Sequence, residues 1–299
     1  MTMKTRIEID AGRRIFSSVL LPELIAALRC CRPGDLLAVI GREADIGADL
    51  ETWCRFTRNT LIDTTTAAAT AGASLHRITQ RVRRIANEAA ELGVSEIFVT
   101  GGEPFLLPDL AEILAACAAT AATTVLTNGM LLAGRRLETL RSLPRDRVTL
   151  QISLDSPEPA RHDRHRGRGT WARAWSGIER ARAEEFRVRL AATVSTDTEA
   201  EEFRRFLDAQ QIPDEDRVVR HIALRGFATR GIALARADLV PEITITADGV
   251  YWHPVGAEDA DLLVTSDIFP LADAFAAVRR AFDRESEHQR RLARIFNCA

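Results

Sequence analysis

Residues 96–104 read EIFVTGGEP, residues 123–129 read TTVLTNG, and residues 147–156 read RVTLQISLDS. Each segment begins as an apolar run with β-branched residues, which is typical of a buried strand, and each ends in small or polar residues. Helical spacing over residues 109–120 and 132–143 separates the three runs. Strands that alternate with helices at this interval predict parallel βαβ units and therefore an α/β fold.

The polar residues of these segments all follow the predicted end of a strand. In parallel α/β folds, ligands bind at this edge of the sheet. A glycine pair lets the backbone turn sharply and approach a ligand closely, because glycine has no Cβ. Any one segment is compatible with an ordinary βα turn, whereas three in series favour a ligand site. The candidate ligand-binding residues are Gly101, Gly102, Glu103, Thr127, Asn128, Ser153 and Asp155.

The segments TGGEP, LTNG, ISLD and HDRHRGRG (162–169), in this order, resemble the core of radical S-adenosylmethionine (radical SAM) enzymes over about residues 75–230. The resemblance implies a partial, TIM-like (β/α)6 barrel that binds SAM. It implies that Gly101, Gly102 and Glu103 hold the amino group of SAM, and that Ser153 and Asp155 lie near its ribose and carboxylate. The chemistry of these residues is consistent with binding the SAM amino group, since an ammonium group needs carboxylate and carbonyl acceptors.

The same resemblance implies a [4Fe–4S] cluster held by three cysteines with the spacing CxxxCxxC. The five cysteines are Cys30, Cys31, Cys54, Cys117 and Cys298, and no three have that spacing. The stretch where the motif belongs, residues 64–73, reads TTTAAATAGA. We therefore assign no metal ligands and no catalytic residues. A second explanation is that residues 64–73 were altered by deletion or by replacement of cysteines.

Residues 1–63 are predicted to form a separate unit. Strands at 6–11 and 35–41 and helices at 21–31 and 48–60 make a small two-layer βαβα sandwich. IEIDA (7–11), RPGDLLAVI (32–40) and DLETWCRFTRNTLI (49–62) resemble the TusA/SirA sulfur-carrier family. That family carries a persulfide on the cysteine of a CPxP motif, and the matching position here is Ser17. The resemblance implies that Cys54 is a buried structural cysteine.

The predicted domains are the TusA-like sandwich at 1–63, the radical-SAM-like barrel at 64–235 and an extension at 236–299. In the extension, Ala247-Asp248-Gly249 lies between two apolar runs and predicts a hairpin. The tail from residue 271 to residue 296 is predicted to be a charged amphipathic helix. His162 and His165 flank Asp163 and could in isolation be read as a metal site. The family resemblance instead makes this stretch a loop that closes over the substrate side.

Composition sets the outer limits on function. Hydrophobic residues make up 46% of the chain, charged residues make up 27%, and the net charge is −2. This composition is ordinary for a globular protein and gives no basic field for nucleic acid. No apolar run approaches the ~20 residues that span a bilayer, and the N-terminus has no signal-peptide core. Cysteines without a paired pattern suit a reducing compartment, so we expect a cytoplasmic protein with no membrane partner.

Three functions remain open. The first is radical-SAM-type modification of a peptide or a sulfur-containing small molecule. The second is a non-catalytic homologue that keeps the barrel and serves as a binding partner or scaffold of an active enzyme. The third is a carrier or docking role through the N-terminal unit.

Overall fold

The computed structural model describes residues 6–12, 36–41 and 71–295, except for positions 108, 226, 227, 229 and 258. The strands are β1 (Arg6–Gly12), β2 (Leu36–Gly41), β3 (Glu96–Val99), β4 (Ala122–Thr127), β5 (Val148–Ser153), β6 (Arg187–Val194), β7 (Arg217–His221), β8 (Thr244–Ile245), β9 (Val250–Tyr251) and β10 (Leu263–Thr265). The α-helices are α1 (Ala71–Glu91), α2 (Leu110–Thr120), α3 (Arg135–Arg141), α4 (Pro159–Arg166), α5 (Thr170–Ala183), α6 (Asp197–Ala209) and α7 (Leu271–Ile295). Within these ranges, no helix combines the length and the apolar character needed to cross a membrane.

Strands β3 to β7 form one parallel sheet, and their order in the sheet is their order in the chain. At least one helix connects each strand to the next, as expected for parallel βαβ units. The sheet curls into a half-barrel of five strands. The α/β class and the partial barrel are therefore confirmed, and the described part of the chain contains five of the six barrel strands that the resemblance implied.

The convex face of this sheet is apolar and packs against the helices. Val125, Leu150 and Leu190, on three neighbouring strands, are completely buried. Ile178 of α5 and Phe203 of α6 pack in the same core cluster. Burying one such side chain contributes about 1.5–3 kcal/mol, so this face supplies most of the stability of the barrel.

The opposite face of the sheet, which we call the concave face, carries Glu96, Phe98, Thr124, Gln151 and Arg189. The Thr124 hydroxyl donates to Glu96 Oε1 at 2.8 Å, and Arg189 Nη1 lies 3.4 Å from the same oxygen. Glu96 is on β3 and Arg189 is on β6, so the ion pair reaches across the two strands between them. This contact requires the curl of the sheet and helps to hold it.

Helix α5 lies directly on the turn that follows β4. A Cβ atom placed on Gly177 would lie 1.9 Å from the backbone oxygen of Gly129. Gly129 has a φ of +71°, and a Cβ there would lie 2.7 Å from the Ile152 side chain. Only glycine satisfies both positions, so the TNG turn is fixed by helix packing as well as by its own backbone conformation.

The residues after the barrel form a second core. Strands β8, β9 and β10 make a three-stranded antiparallel sheet, and the β8–β9 hairpin turns at the predicted position. Trp252, Leu262, Leu271 and Val278 are buried in this cluster. The backbone N–H of Leu271 donates to the carboxylate of Glu88 on α1 at 2.6 Å, which joins the extension to the first barrel helix.

Strands β1 and β2 pair in parallel, with Arg6 opposite Leu36 and Asp10 opposite Ile40. Both strands were predicted. The predicted helices at 21–31 and 48–60, together with Ser17 and Cys54, lie outside the described residues. The TusA-like sandwich therefore stays a prediction.

Three local predictions need correction. The stretch HDRHRGRG is not only a loop, because residues 159–166 form helix α4. The helix predicted over 132–143 begins at Arg135, after Gly134, which has a φ of +54°. The sequence also predicts a strand over residues 217–226, but this strand ends at His221, because the chain beyond it turns to pair with the segment around Ile232.

Replacing Gly177 by alanine tests the packing of α5 on the TNG turn. Helix propensity alone predicts that Gly177→Ala stabilises the protein by about 1 kcal/mol. The contact with Gly129 predicts the opposite sign, a loss of about 1–3 kcal/mol from overpacking. Chemical unfolding distinguishes the two, with Ser176→Ala on the same helix as the control. A more stable Gly177→Ala protein would show that the turn can move aside.

Candidate functional site

The carboxyl ends of β3, β4 and β5 bring the candidate residues to one edge of the sheet. The segments that follow these strands begin at Thr100, Asn128 and Leu154. Gly101 and Gly102 are exposed, and Gly101 has a φ of +153° with no atom within 4 Å of a built Cβ. Gly101 therefore leaves open space at the sheet edge.

Glu103 links the ends of β3 and β4. Its Oε1 accepts from the Thr127 hydroxyl at 2.6 Å and from the Phe105 N–H at 3.1 Å. Its Oε2 accepts from the Asn128 N–H at 2.8 Å. These contacts explain why TGGEP and TNG occur together, since the acid of the first segment binds the hydroxyl and backbone of the second.

The environment of Glu103 sets its charge properties. Burial raises the pKa of Glu103, and the hydrogen bonds from Thr127, Asn128 and Phe105 oppose that increase. An ionised carboxylate offers about four acceptor positions, and three are used within the protein. One position remains for an external donor such as an ammonium group.

Thr127 and Asn128 also act within their own turn. The Thr127 oxygen accepts from the Gly129 N–H at 3.1 Å, and Asn128 Oδ1 accepts from the Met130 N–H at 2.8 Å. Thr127 is buried. Both side chains therefore stabilise the turn. Any contact that they make with a ligand is in addition to this structural role.

Asp155 belongs to a second group of residues, at the ends of β5 and β6. Its carboxylate pairs with the Arg166 guanidinium and accepts from the Thr193 N–H at 3.2 Å. Ser153, two residues earlier, makes no hydrogen bond through its hydroxyl with any described residue. Most acceptor positions of Asp155 are therefore occupied within the protein, whereas the Ser153 hydroxyl is unused.

The histidine motif supports Asp155. His162 is 1% exposed, and its Nδ1 accepts from the Asp155 N–H at 3.2 Å. Burial lowers the pKa of His162, which keeps the imidazole neutral as an acceptor must be. Asp163 accepts from the Trp171 N–H at 2.9 Å and also from the Gly169 N–H, both at the start of α5, and these backbone hydrogen bonds lower the pKa of Asp163. The HDRHRGRG motif is therefore built into the α4–α5 connection.

A cavity of about 150 Å³ opens at the ends of β5, β6 and β7. It is lined by Asp155, Arg161, His165, Thr193, Ser195, Glu199 and Ile222. Of these residues, only Asp155 was a predicted site residue. Thr193 and Ser195 follow the same rule as the first three segments, polar residues at the end of an apolar run, and that signal could have identified them.

The cysteines decide whether a [4Fe–4S] cluster fits. Cys117 is 2% exposed on α2, and burial raises its pKa to about 11, so it is a packed thiol and not a ready thiolate ligand. Among the described residues, no group of three His, Cys, Asp or Glu side chains is arranged to hold a metal. The other four cysteines lie outside the described residues, and their spacing does not form CxxxCxxC. The part of the chain that the structure describes therefore supplies no ligand set for the cluster.

Comparison with known proteins settles the family. The sequence model of the Radical SAM superfamily matches residues 52–209, just over half of the chain. This chain belongs to the radical SAM superfamily. The radical SAM resemblance of the TGGEP, LTNG and ISLD segments is thereby confirmed.

Curated relatives within the superfamily match parts of the chain. The GTP 3',8-cyclase of Microcystis aeruginosa is 37% identical over 103 residues, 32% of this chain and 30% of that protein. The PqqA peptide cyclase of Ruegeria pomeroyi is 32% identical over 165 residues, 54% of this chain and 42% of that protein. The chain thus spans less than half the length of these relatives. The activities in their names are therefore reported for those proteins alone.

A solved structure, native anSMEcpe with bound AdoMet, aligns over 53% of this chain and 47% of that chain. The TM-score is 0.41 and the sequence identity is 12%. A likeness of this size carries no conclusion about ligands or activity. The radical SAM assignment therefore rests on the sequence match, and the roles of the site residues rest on the geometry above.

Replacing Glu103 tests its internal role without any ligand. Glu103→Ala leaves the Thr127, Asn128 and Phe105 donors without their acceptor, so we expect a loss of roughly 2 kcal/mol in the free energy of unfolding. Chemical unfolding measures it. The control is Glu112→Ala, which removes an exposed ion pair with Arg83 and should cost about 0.5 kcal/mol. Equal stability of the Glu103→Ala and wild-type proteins would contradict the internal role.

The pH dependence of stability tests His162. A histidine with a lowered pKa in the fold stabilises the protein fully above its ordinary value of 6.5, and that stability falls as the pH drops below it. His162→Asn keeps an acceptor but does not titrate. We therefore expect the variant to lose less stability than wild type between pH 6.5 and pH 5. Unfolding curves across this range measure the difference, and parallel pH profiles would overturn the assignment.

Proposed function

We propose that this radical SAM protein is a ligand-binding homologue, which holds a peptide or small molecule in the half-barrel as a binding partner or scaffold of an active enzyme. The proposal is supported by polar residues assembled at the sheet edge and by the lack of a cluster-ligand set among the described residues. Glu103, Thr127 and Asn128 are assembled at the sheet edge, whereas the one described cysteine is a buried, protonated thiol. No step of a reaction is assigned to these residues.

SAM remains a weak ligand in this proposal. Glu103 keeps one acceptor position for the SAM ammonium group, and the exposed Gly101 leaves open space nearby. One charge-assisted contact supports only weak binding, on the order of 0.1–1 mM. Ser153 and Asp155 are proposed to lie near the ribose and carboxylate, as the family resemblance implies.

Residues 1–63 are proposed to be a TusA-like docking unit. The parallel pairing of β1 and β2 supports a βαβ arrangement. Ser17 at the acceptor position argues for docking and against carrying sulfur, since a hydroxyl cannot hold a persulfide. Cysteines without a paired pattern support a cytoplasmic location.

The second candidate function is enzymatic modification of a peptide or a sulfur-containing small molecule. The superfamily match supports it, and a relative named PqqA peptide cyclase supports a peptide as the substrate class. This candidate requires cluster ligands that do not follow the CxxxCxxC spacing. The two functions therefore differ in the number of irons and sulfides that one chain can hold, which can be measured directly.

Iron and sulfide analysis after anaerobic reconstitution tests the proposal. We expect the full chain to retain well under one iron per molecule and to bind SAM in calorimetry with a dissociation constant no lower than about 0.1 mM. A radical SAM protein that has the CxxxCxxC motif, treated in parallel, is the positive control for reconstitution. About four irons and four sulfides per chain, the content of one cluster, would overturn the proposal and favour the enzyme.

A further inference from the structure

The central strand of the half-barrel carries a polar column on the concave face. Side chains alternate between the two faces of a strand, and Val148, Leu150 and Ile152 of β5 lie in the apolar core. Thr149, Gln151 and Ser153 therefore face the concave side. Gln151 is the middle member of this column, in register with Leu126 on one side and with Arg189 on the other.

Gln151 combines burial with unused hydrogen-bonding groups. The residue is 6% exposed, yet its carboxamide makes no hydrogen bond with any described residue. It is also not among the described side chains whose polar atoms are both sealed and unpaired, so its amide reaches the open concave side. Buried polar groups are normally paired, and an unpaired one needs an explanation.

The neighbouring Arg189 is already paired within the protein. Its Nη1 contacts Glu96 Oε1 at 3.4 Å, and its buried Nε lies 3.9 Å from Asp216 Oδ1. The amide of Gln151 thus remains without a partner beside a paired cation. A polar ligand group at this point would satisfy the amide, whereas an apolar ligand would not.

Charge balance around Gln151 restricts the chemistry of that ligand group. Arg187 pairs with Asp216 at 2.6 Å, and Arg189 pairs with Glu96 at 3.4 Å, so two cations face two anions. This balance gives no preference for a phosphate or a carboxylate. A carboxamide presents a donor and an acceptor side by side, and its complement is a neutral group with an N–H beside a C=O.

We propose that Gln151 is a ligand-positioning residue that recognises a neighbouring N–H and C=O on the bound molecule, as one residue of an extended peptide or a nucleobase edge presents them. This inference deepens the proposed function, on which it rests. The apolar neighbours favour the peptide, because half-buried Leu126 and Phe98, which is 42% exposed, can pack against its side chains. The nucleobase is the other source of the same chemistry.

The test uses the full chain labelled with ¹⁵N and two probes, the capped tripeptide acetyl-Ala-Ala-Ala-amide and uridine. We expect the tripeptide to shift the Gln151 side-chain amide resonances saturably in NMR titration. Gln151→Leu, which keeps the volume and removes the amide, should weaken tripeptide binding about tenfold, the effect of one to two hydrogen bonds. Thr149→Val, on the same face of β5, is the matched control and should bind as wild type.

Stability separates ligand recognition from a structural role. Because the amide has no partner among the described residues, Gln151→Leu should unfold at the same or a higher denaturant concentration than wild type. A clear loss of stability would overturn the inference, and so would tripeptide binding that Gln151→Leu leaves unchanged. Shifts with uridine alone would support the N–H and C=O chemistry and overturn the peptide as its source. A chain that holds four irons but needs Gln151 for the tripeptide would refute the proposed function and uphold this inference.

Discussion

The Glu103 carboxylate fixes the edge of the sheet on which the candidate site depends. It accepts from a hydroxyl and a backbone N–H of the TNG turn and from the backbone of its own segment. Helix α5 holds the same turn from the other side, through the contact between Gly177 and Gly129. The ends of β3 and β4 are therefore locked together before any ligand arrives, which is the preorganisation that a binding site needs.

The two faces of the sheet divide stability from recognition. The convex face buries aliphatic side chains against the helices and needs no polar partner. On the concave face, Thr124 and Arg189 both contact Glu96, and this ion pair crosses two strands. On the same face, Gln151, which is in register with Arg189, and Ser153 keep unused polar groups. The structure thus separates polar side chains that fasten the barrel from those that remain available to a ligand.

Much of the barrel was predictable because its signal is local. The apolar runs at 96–99, 123–127 and 148–153 have the length of buried strands, and the polar residues behind them mark the sheet edge. The roles of those residues were less predictable, because a carboxylate that binds its own chain has the same sequence as one that binds a ligand. His162 illustrates the limit, since its partner is a backbone N–H seven residues earlier, and nothing in HDRHRGRG identifies it. Gln151 was missed because a single polar residue inside an apolar run is normally paired, and only the structure shows that it is not.

The absence of the CxxxCxxC spacing from the sequence and the presence of the TGGEP and TNG segments are compatible with different constraints. Cluster cysteines serve only chemistry, because thiolates on a loop contribute little to folding. Glu103, Thr127, Asn128 and Asp163 each satisfy backbone groups of the barrel, so replacing any of them leaves donors unpaired. A radical SAM protein that does not carry out radical chemistry can lose the cluster cysteines without a cost in stability. It still needs the residues that satisfy backbone groups in order to stay folded. The persistence of TGGEP and TNG is therefore weak evidence for catalysis, whereas an unpaired Gln151 serves no folding purpose and points to a bound molecule.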